Sequence, residues 1–346
     1  MAASPIQVVV ADDSSLMRLL ISDILRNDES IEVVDTACDG KEAAEKTTEL
    51  KPDVLVLDMT MANYDGLYAV RQVMQQHPTP ILILSALGNT NLSPIMEALS
   101  LGAYDYLTKP ASRGLRTLQD ELVHKVKQAS RVNRQRLLRK QVQHTNQAPH
   151  VFQGQLPYEI IAIGASTGGP GAVEQVVTQL PSNLAIPVVI AQHMPKAFIP
   201  AFAERLDALT PLRVRVGEEG TPIRPGEITV APGGCNSKLK ASGRGRVVWT
   251  QAEETFREYN NPSVNALMLS VAQVYGEKAI GVILTGMGKD GTRGMEAIYR
   301  SGGYTIAQNE ATSVVYGMPR VAVETGVVRQ VIALPEIAGF LVSCLS

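Results

Sequence analysis

The feature that most limits the fold of this chain is an alternation of short apolar runs with amphipathic stretches. Between residues 6 and 110 the runs are IQVVVA, IEVVDTA, PDVLVLD, TPILILSA and AYDYLTKP, and segments with helical spacing separate them. Strands that alternate with helices at this spacing form right-handed βαβ units and a parallel sheet. The first third of the chain is therefore predicted to be a doubly wound (βα)5 domain of the α/β class.

The same alternation resumes after Tyr158, with the runs EIIAIG, IPVVIAQ, ITVAPGG, RVVWTQ, AIGVILTG and YTIAQN. Polar, glycine-rich residues separate ITVAPGG from RVVWTQ, and this suits an antiparallel excursion better than a helical crossover. We predict a second doubly wound α/β domain, Rossmann-like, with a mostly parallel sheet and an antiparallel excursion. The two halves share no repeat at the level of residues, so they are interpreted as two domains and not as a duplication.

A basic segment separates the two patterns. Residues 111–150 hold nine Lys and Arg against two acidic residues, first with helical spacing and then in a polar stretch that contains proline and glycine. The predicted division is a first domain over 1–112, a helix and basic linker over 113–156, and a second domain over 157–346. The basic run is interpreted as a solvated helix face, and docking to an acidic surface is the alternative.

Composition excludes several classes of protein. The 346 residues are 45% hydrophobic with a formal net charge of −2, which does not indicate a nucleic-acid or membrane partner. The start, MAASPIQVVVADDS, has no basic n-region, and no window approaches the roughly 18 apolar residues of a spanning helix. We expect a cytoplasmic protein without membrane insertion. Cys38, Cys235 and Cys344 form no CxxC pair, so reduced thiols and no zinc site are expected.

Five polar residues are predicted to converge at one edge of the first sheet. Asp12 and Asp13 follow the first strand, Asp58 ends the third, Ser85 ends the fourth and Lys109 ends the fifth. Carboxyl ends of parallel strands meet at one edge, where ligands bind. Clustered carboxylates repel unless a cation neutralises them, and Mg²⁺ prefers oxygen ligands. A carboxylate beside such an ion can attack phosphorus to give an aspartyl phosphate, with the lysine pairing with the phosphate and the hydroxyl donating to it. Singly, each residue also has a structural explanation, such as a helix N-cap.

This half of the chain resembles a two-component receiver domain. The resemblance is carried by DDS at 12–14, VLVLD at 54–58, DGL at 65–67, Ser85 and GAYDYLTKP at 102–110. It implies phosphorylation of Asp58 by a histidine kinase. It also implies Mg²⁺ bound in the acidic pocket of Asp12 and Asp13, with Asp13, Asp58 and the backbone carbonyl of Thr60 as the ligands.

The resemblance further implies a conformational switch formed by Ser85 and Tyr106, with Lys109 at the phosphoryl group. One departure is visible. Receivers commonly read Met-Pro after the phosphorylated strand, whereas this chain reads MTMANYDG, with Ala62 at the proline position. We therefore expect this loop to be more flexible than in the family pattern.

The stretch IIAIGASTGGPGAV, residues 160–173, allows two interpretations. One is the G-x-S-x-G elbow of a serine hydrolase around Ser166, and the other is a glycine-rich turn that holds a nucleotide phosphate. A dinucleotide site requires the pattern G-x-G-x-x-G and an acidic residue at the end of the next strand. The glycine spacing here differs, and the next strand ends in Gln192 and His193. Both requirements fail, so the nucleotide interpretation is disfavoured.

A serine nucleophile needs a base and an acid that orients the base. Residues 151–346 contain one histidine, His193, and two aspartates, Asp207 and Asp290. Asp207 lies in a helical pattern, whereas Ser166, His193 and Asp290 each follow a buried strand, so these three are predicted to be the catalytic residues. Their order differs from the Ser-Asp/Glu-His order of α/β-hydrolases. N–H groups after Ser166 and near Met287 are expected to stabilise an oxyanion.

These residues also carry a second resemblance. The segments IAIGASTGGP, VVIAQHMP, ITVAPGG, GVILTGMGKDG and ATSVVYGMP resemble the catalytic domain of the chemotaxis protein-glutamate methylesterases. With the receiver and linker, the similarity spans nearly the whole chain. It implies hydrolysis of glutamate γ-methyl esters on methyl-accepting chemoreceptors with release of methanol, deamidation of receptor glutamines, and roles for Thr167 and the Met287 backbone. It also implies inhibition by the unphosphorylated receiver and no cofactor for the ester chemistry.

Two other functions stay open on the residues alone. The second domain could be a binding module that serves as the output of a response regulator, with a vestigial Ser-His-Asp set. It could also be a small-molecule esterase with a receiver attached. Methanol release from methylated receptor distinguishes all three.

Overall fold

The structure is a computed structural model that describes residues 4–86, 92–109, 115–132, 158–243, 245–252 and 262–345. These residues form two compact units, which the segment 133–157 separates in the sequence. The greater part of the predicted basic linker lies outside the described residues. Among the helices that are described, none combines the length and apolar character needed to cross a bilayer.

The first unit is a five-stranded parallel sheet in the order β2-β1-β3-β4-β5. Its strands are β1 (Ile6–Ala11), β2 (Ile31–Ala37), β3 (Val54–Asp58), β4 (Ile81–Ala86) and β5 (Asp105–Lys109). Its helices are α1 (Ser15–Arg26), α2 (Gly40–Leu50), α3 (Gly66–Gln76), α4 (Ser93–Ser100) and α5 (Leu115–Ala129). The predicted (βα)5 fold is confirmed.

Local sequence explains these elements. Strand β3 is buried at every position, as expected for a central strand covered on both faces. Three helices begin at side chains that accept from their first free N–H groups: Ser14 caps α1, Asp39 caps α2 and Asp65 caps α3. Helix α5 packs on this unit, because Lys127 pairs with Asp28 at 2.6 Å on the loop after α1.

The second unit contains a seven-stranded sheet in the order β14-β13-β12-β6-β7-β9-β8 and a separate two-stranded sheet of β10 and β11. Its strands are β6 (Ile160–Ala165), β7 (Val188–Gln192), β8 (Arg213–Val216), β9 (Glu227–Val230), β10 (Ser237–Ser242), β11 (Arg246–Gln251), β12 (Ala279–Ile283), β13 (Tyr304–Gln308) and β14 (Gln330–Ile332). Its helices are α6 (Gly169–Val177), α7 (Ile199–Leu209), α8 (Val264–Tyr275), α9 (Thr292–Arg300), α10 (Met318–Glu324) and α11 (Leu334–Cys344).

The antiparallel excursion is present, but its partners differ from those that the spacing suggested. Strand β9 pairs in parallel with β7 and β8 inside the large sheet, and β11 pairs antiparallel with β10. The hairpin packs on α8, where the backbone N–H of Leu239 donates to the hydroxyl of Ser270 at 2.8 Å. Leu239 and Trp249 extend the hydrophobic core onto this side. The pairings within the large sheet are all parallel.

Close packing around Val264, the first residue of α8, brings two parts of the carboxyl edge together. A methyl group on Gly164 of β6 would overlap a methyl group of Val264. A methyl group on Gly291, which precedes α9, would lie 2.8 Å from the same side chain. Helix α8 can therefore approach both β6 and the loop after β12 only because glycine stands at both positions.

Candidate functional site

The acidic edge of the first unit is organised around a lysine. The ammonium of Lys109 lies 2.6 Å from a carboxylate oxygen of Asp12 and 3.0 Å from one of Asp58. Asp12 and Asp58 are 1% and 5% exposed, so both carboxylates are removed from bulk water. The structure thus brings together the ends of β1, β3 and β5 at the predicted edge.

Asp13 completes a group of three carboxylates, since single oxygens of Asp12, Asp13 and Asp58 all lie within 4.8 Å of one another. This spacing and all-oxygen chemistry fit a hard divalent cation such as Mg²⁺. The hydroxyl of Ser85 on β4 is buried and has no hydrogen-bond partner among the described residues. An unpaired buried hydroxyl at this edge is suited to donate to an incoming oxygen-rich group.

Burial dominates the ionisation of the candidate phosphoacceptor. Desolvation raises the pKa of Asp58, Lys109 opposes that rise, Asp12 adds to it, and a hydrogen bond from the backbone N–H of Thr60 opposes it. Tyr106 on β5 is also buried, and burial raises the pKa of its hydroxyl well above the ordinary value of 10.0. The phenol is therefore neutral throughout the physiological range.

The second unit places the predicted hydrolase residues along the carboxyl edge of its large sheet. Strands β6 and β7 pair in register, with Ala165 opposite Gln192, so Ser166 and His193 both come directly after paired positions. The backbone N–H of His193 donates to the carbonyl of Ala165 at 3.0 Å. The N–H of Ser166 donates to the carbonyl of Thr285, after β12, at 3.0 Å. Three neighbouring strands therefore hold the two residues.

The imidazole of His193 contacts Asp290 directly. Its Nε2 lies 2.7 Å from Oδ2 of Asp290, and both side chains are almost completely buried. Because Nε2 bonds to the carboxylate, Nδ1 is the ring nitrogen that faces away from Asp290. This is the base-orienting hydrogen bond that a serine-histidine-acid site requires.

The N-terminus of α8 and the start of α9 hold Asp290. Its Oδ1 accepts from the Ser263 hydroxyl at 3.1 Å, the Asn265 N–H at 2.9 Å and the Gly291 N–H at 2.8 Å. Its Oδ2 accepts from the Val264 N–H at 2.8 Å. Burial opposes ionisation of Asp290, but His193 and these N–H groups outweigh it, so the pKa of Asp290 lies below its ordinary value.

The loop after β12 packs against the serine. A methyl group on Gly286 would lie 2.8 Å from Cβ of Ser166, and Met287 follows with its side chain 40% exposed. Thr167 is buried, and its carbonyl accepts from the Thr285 hydroxyl at 3.0 Å. Both residues predicted to act on an oxyanion therefore neighbour Ser166. Helix α6 begins at Gly169, three residues after Ser166.

Sequence reasoning missed the residues that hold Asp290. Ser263 caps α8 in the manner that its position before an apolar helix predicts, but nothing in the sequence connects that helix end with residue 290. Asn265 was also missed. Its backbone N–H reaches Asp290 while its side-chain oxygen accepts from the Gly294 N–H at 2.9 Å, which ties α8 to α9.

Together, the two units define a class of protein: a receiver-type domain followed, in one chain, by a domain of the α/β class with a serine-hydrolase type of site. Two family descriptions match these parts, the response regulator receiver domain over residues 8–122 and the CheB methylesterase over residues 161–341. The chain belongs to the CheB methylesterase family.

Characterised relatives match over nearly the full length. Proteins described as protein-glutamate methylesterase/protein-glutamine glutaminase are 38% identical in Desulfitobacterium hafniense, covering 99% of this chain and 98% of the relative, and 39% identical in Symbiobacterium thermophilum, covering 96% and 95%. The CheB methylesterase catalytic domain of Thermotoga maritima is similar in structure, with a TM-score of 0.52 at 37% identity over 54% of this chain and 98% of that domain. These relatives support the enzyme interpretation and not the non-catalytic binding module.

Proposed function

We propose that this chain hydrolyses glutamate γ-methyl esters on chemoreceptors, releases methanol and deamidates receptor glutamines, under control of phosphorylation at Asp58. The observation that carries the proposal is the 2.7 Å contact between His193 and Asp290 at the edge where Ser166 lies. The receiver implies a phosphodonor partner, and we assign that role to a histidine kinase. The substrate follows from the names of the relatives.

The proposed chemistry begins at Ser166. Its Oγ attacks the ester carbonyl while Nδ1 of His193 takes the hydroxyl proton, and Asp290 stabilises the resulting imidazolium through Nε2. The C–O bond to the methoxy group breaks, the imidazolium returns the proton, and methanol leaves behind an acyl ester on Ser166. Water then attacks that ester with His193 again as base. This regenerates the serine and yields a glutamate carboxylate. A glutamine amide follows the same steps and releases ammonia.

The oxyanion that forms at each attack requires nearby donors. We assign them to Thr167 and to the backbone N–H of Met287, because both residues neighbour Ser166. Removing one donor of this kind slows an acyl transfer by about 10²–10³-fold. The exposed Met287 side chain lies where a large substrate such as a receptor helix can reach it.

In the receiver we assign phosphorylation to Asp58 and Mg²⁺ binding to Asp12, Asp13, Asp58 and the carbonyl of Thr60. When bound, the ion neutralises negative charge on the phosphodonor and the carboxylates. Lys109 pairs with the phosphoryl group, the unpaired Ser85 hydroxyl donates to it, and Tyr106 responds as the switch residue. We keep the division into 1–112, 113–156 and 157–346 as a proposal, with Leu115–Ala129 packed on the receiver.

Methanol release from a methylated receptor fragment tests the proposal, with and without a small phosphodonor. We expect Ser166→Ala and His193→Ala to lose activity by at least about 10³-fold. We also expect that a variant without residues 1–150 has a higher basal rate. Activity that survives in Ser166→Ala would overturn the proposed chemistry, and an unchanged or lower basal rate on truncation would overturn inhibition by the receiver.

A further inference from the structure

Gln192 joins the backbones of the two residues proposed to exchange a proton. It ends β7 and is 1% exposed. Its side-chain Nε2 donates to the carbonyl of Ser166 at 2.9 Å and to the carbonyl of His193 at 3.0 Å. We propose that Gln192 is a positioning residue that fixes the placement of Ser166 relative to His193. The inference rests on the proposed function of these two residues.

The contacts determine the orientation of the amide. If the amide were flipped, Oε1 would face two carbonyl oxygens, none of which can donate a hydrogen bond. Two donor contacts on one nitrogen therefore identify that atom as Nε2. The same group acts on both residues at once, so it couples their backbones directly.

The oxygen of the Gln192 amide indicates that this side chain does more than stabilise the fold. The Oε1 atom of Gln192 is buried and has no hydrogen-bond partner among the described residues. An unpaired buried oxygen is destabilising and offsets part of what the two donated hydrogen bonds contribute. A purely apolar side chain would avoid this penalty. The polar group is better explained by the positions of the two carbonyls that it holds.

The start of α6 is shaped around this amide. A methyl group on Gly169 would lie 2.9 Å from Cδ of Gln192 and would overlap Oε1. The N–H of Gly169 donates to the same Ser166 carbonyl at 2.7 Å. Two donors from different elements therefore converge on one carbonyl, which fixes the peptide that follows the proposed nucleophile.

Proton transfer is sensitive to such placement, because an error of about 1 Å in a reacting group can slow catalysis about 10²-fold. Gln192 touches neither the substrate nor the reacting atoms in this scheme, and it acts through the carbonyls of its two neighbours. Its loss should therefore reduce kcat and leave KM nearly unchanged.

The test uses the full-length chain with Gln192→Met, which keeps the length of the side chain and removes its donors. We expect kcat for methanol release to fall about 10–100-fold while KM stays within about threefold. Labelling by a fluorophosphonate, in which Ser166 Oγ bonds to phosphorus and fluoride leaves, should slow by a similar factor. This second readout reports on the reactivity of the serine without receptor binding.

Thr210→Val is the matched control. Thr210 is 8% exposed and follows α7, where its hydroxyl donates to the Val177 carbonyl at 3.0 Å. We expect this variant to lose thermal stability, as Gln192→Met does, but to keep kcat and the labelling rate within about threefold of wild type, since the hydrogen bond it removes joins the ends of α6 and α7.

If Gln192→Met does not fold, Gln192→Asn provides the test, because the shorter amide cannot reach both carbonyls and should lower kcat without changing KM. Normal kcat and labelling in a folded Gln192 variant, or equal losses in Thr210→Val, would overturn the inference. If either of these outcomes were found while Ser166→Ala was inactive, the inference about Gln192 would fail and the proposed function would still hold. Full activity of Ser166→Ala would refute the proposed function itself.

Discussion

Each unit buries an aspartate at the carboxyl edge of a parallel sheet, and the two environments are opposite. Asp58 lies among other carboxylates, with Lys109 at 3.0 Å, and burial raises its pKa. Asp290 accepts four hydrogen bonds from α8 and the start of α9 and a fifth contact from His193, and its pKa lies below the ordinary value. The same residue type at equivalent places in two similar folds is prepared for different chemistry.

The difference shows how surroundings assign a role to a carboxylate. A side chain that is to accept a phosphoryl group must be free to change partners. Fewer donors hold Asp58, which pairs with the Lys109 ammonium at 3.0 Å and accepts from the Thr60 N–H, and the Ser85 hydroxyl at the same edge is unpaired among the described residues. A side chain that is to orient a base must stay ionised and immobile, and the three N–H groups and the Ser263 hydroxyl that Asp290 accepts from are suited to that.

The strongest challenge to this contrast is Asp290→Asn. The amide would direct its NH₂ group at N–H donors and would no longer hold His193 in the proton-accepting form. We expect methanol release to fall about 10³–10⁴-fold. Glu296→Gln is the control, since this carboxylate pairs with Arg300 at 2.6 Å on the same helix, α9, and its loss should change activity less than about twofold. An Asp290→Asn variant with more than a tenth of normal activity would contradict the assignment.

The rigidity of the hydrolase edge can be tested at Gly286. An alanine there would overlap Sδ of Met318 and crowd Cβ of Ser166, 2.8 Å away, and we expect kcat to fall about 10²-fold. Gly326→Ala is the control because Gly326 has φ of 72° and no atom near its Cβ position, so only backbone strain of about 1–2 kcal/mol is added. Steady-state kinetics and melting temperatures of both variants separate the effect of crowding at Ser166 on kcat from the effect of backbone strain on stability. Equal kinetic losses would count against a fixed Ser166.

The other aspartate, Asp58, is expected to give a smaller effect that appears only with a phosphodonor. Asp58→Asn removes the proposed phosphoacceptor, so a small phosphodonor should no longer raise esterase activity, a gain expected to lie between about 5- and 150-fold in the wild type. Basal activity should be unchanged. Asp53→Asn serves as the control, because Asp53 lies next to the opposite end of β3 and accepts from the Gln7 N–H at 2.9 Å. Stimulation that persists in Asp58→Asn would place the phosphoryl group elsewhere.

The smallest predicted effects are shifts of opposite sign in melting temperature. Burial raises the pKa of Asp58 in the folded chain, so the stability that this group contributes is lost as pH rises above about 3.8 and through the raised pKa. Asp58→Asn should therefore melt at a higher temperature than wild type at pH 7 without Mg²⁺. The pKa of Asp290 is lowered, so the stability that its carboxylate contributes is present above about pH 3.8 and is lost as pH falls through the folded pKa. Asp290→Asn should therefore melt at a lower temperature than wild type at pH 7. The Asp58 difference should shrink as pH falls toward 4, whereas the Asp290 difference should shrink only below about pH 3.8. Shifts of the same sign would break the contrast.

Much of this arrangement was predictable, because a strand end is a property that sequence reveals. Runs such as VLVLD and GVILTG identify buried strands, and parallel order brings the polar residues after them to one edge. The fold class and the meeting of His193 with Asp290 follow from that rule. The contacts of Asp290 with Ser263 and Asn265 do not, because they depend on where α8 packs, and helix position is a tertiary property.

Other features escaped prediction for different reasons. Strands β8 and β14 are only four and three residues long, too short for a periodic signal. The hairpin was anticipated from its glycine-rich turn, but its separation from the large sheet depends on packing against α8. Gln192 was read only as the absence of an acid, since nothing in a sequence states which carbonyls an amide will reach.

The packing of Val264 between Gly164 and Gly291 has an evolutionary consequence. The valine side chain occupies the space that a β-carbon would need at either glycine, so the three positions share one fixed volume. Alanine at 164 demands a smaller residue at 264, whereas a side chain at 291 would also meet Cδ1 of Ile283 at 2.6 Å and would be strained at a φ of 92°. Among homologues, alanine at 164 should therefore be accompanied by a smaller residue at 264, and position 291 should remain glycine.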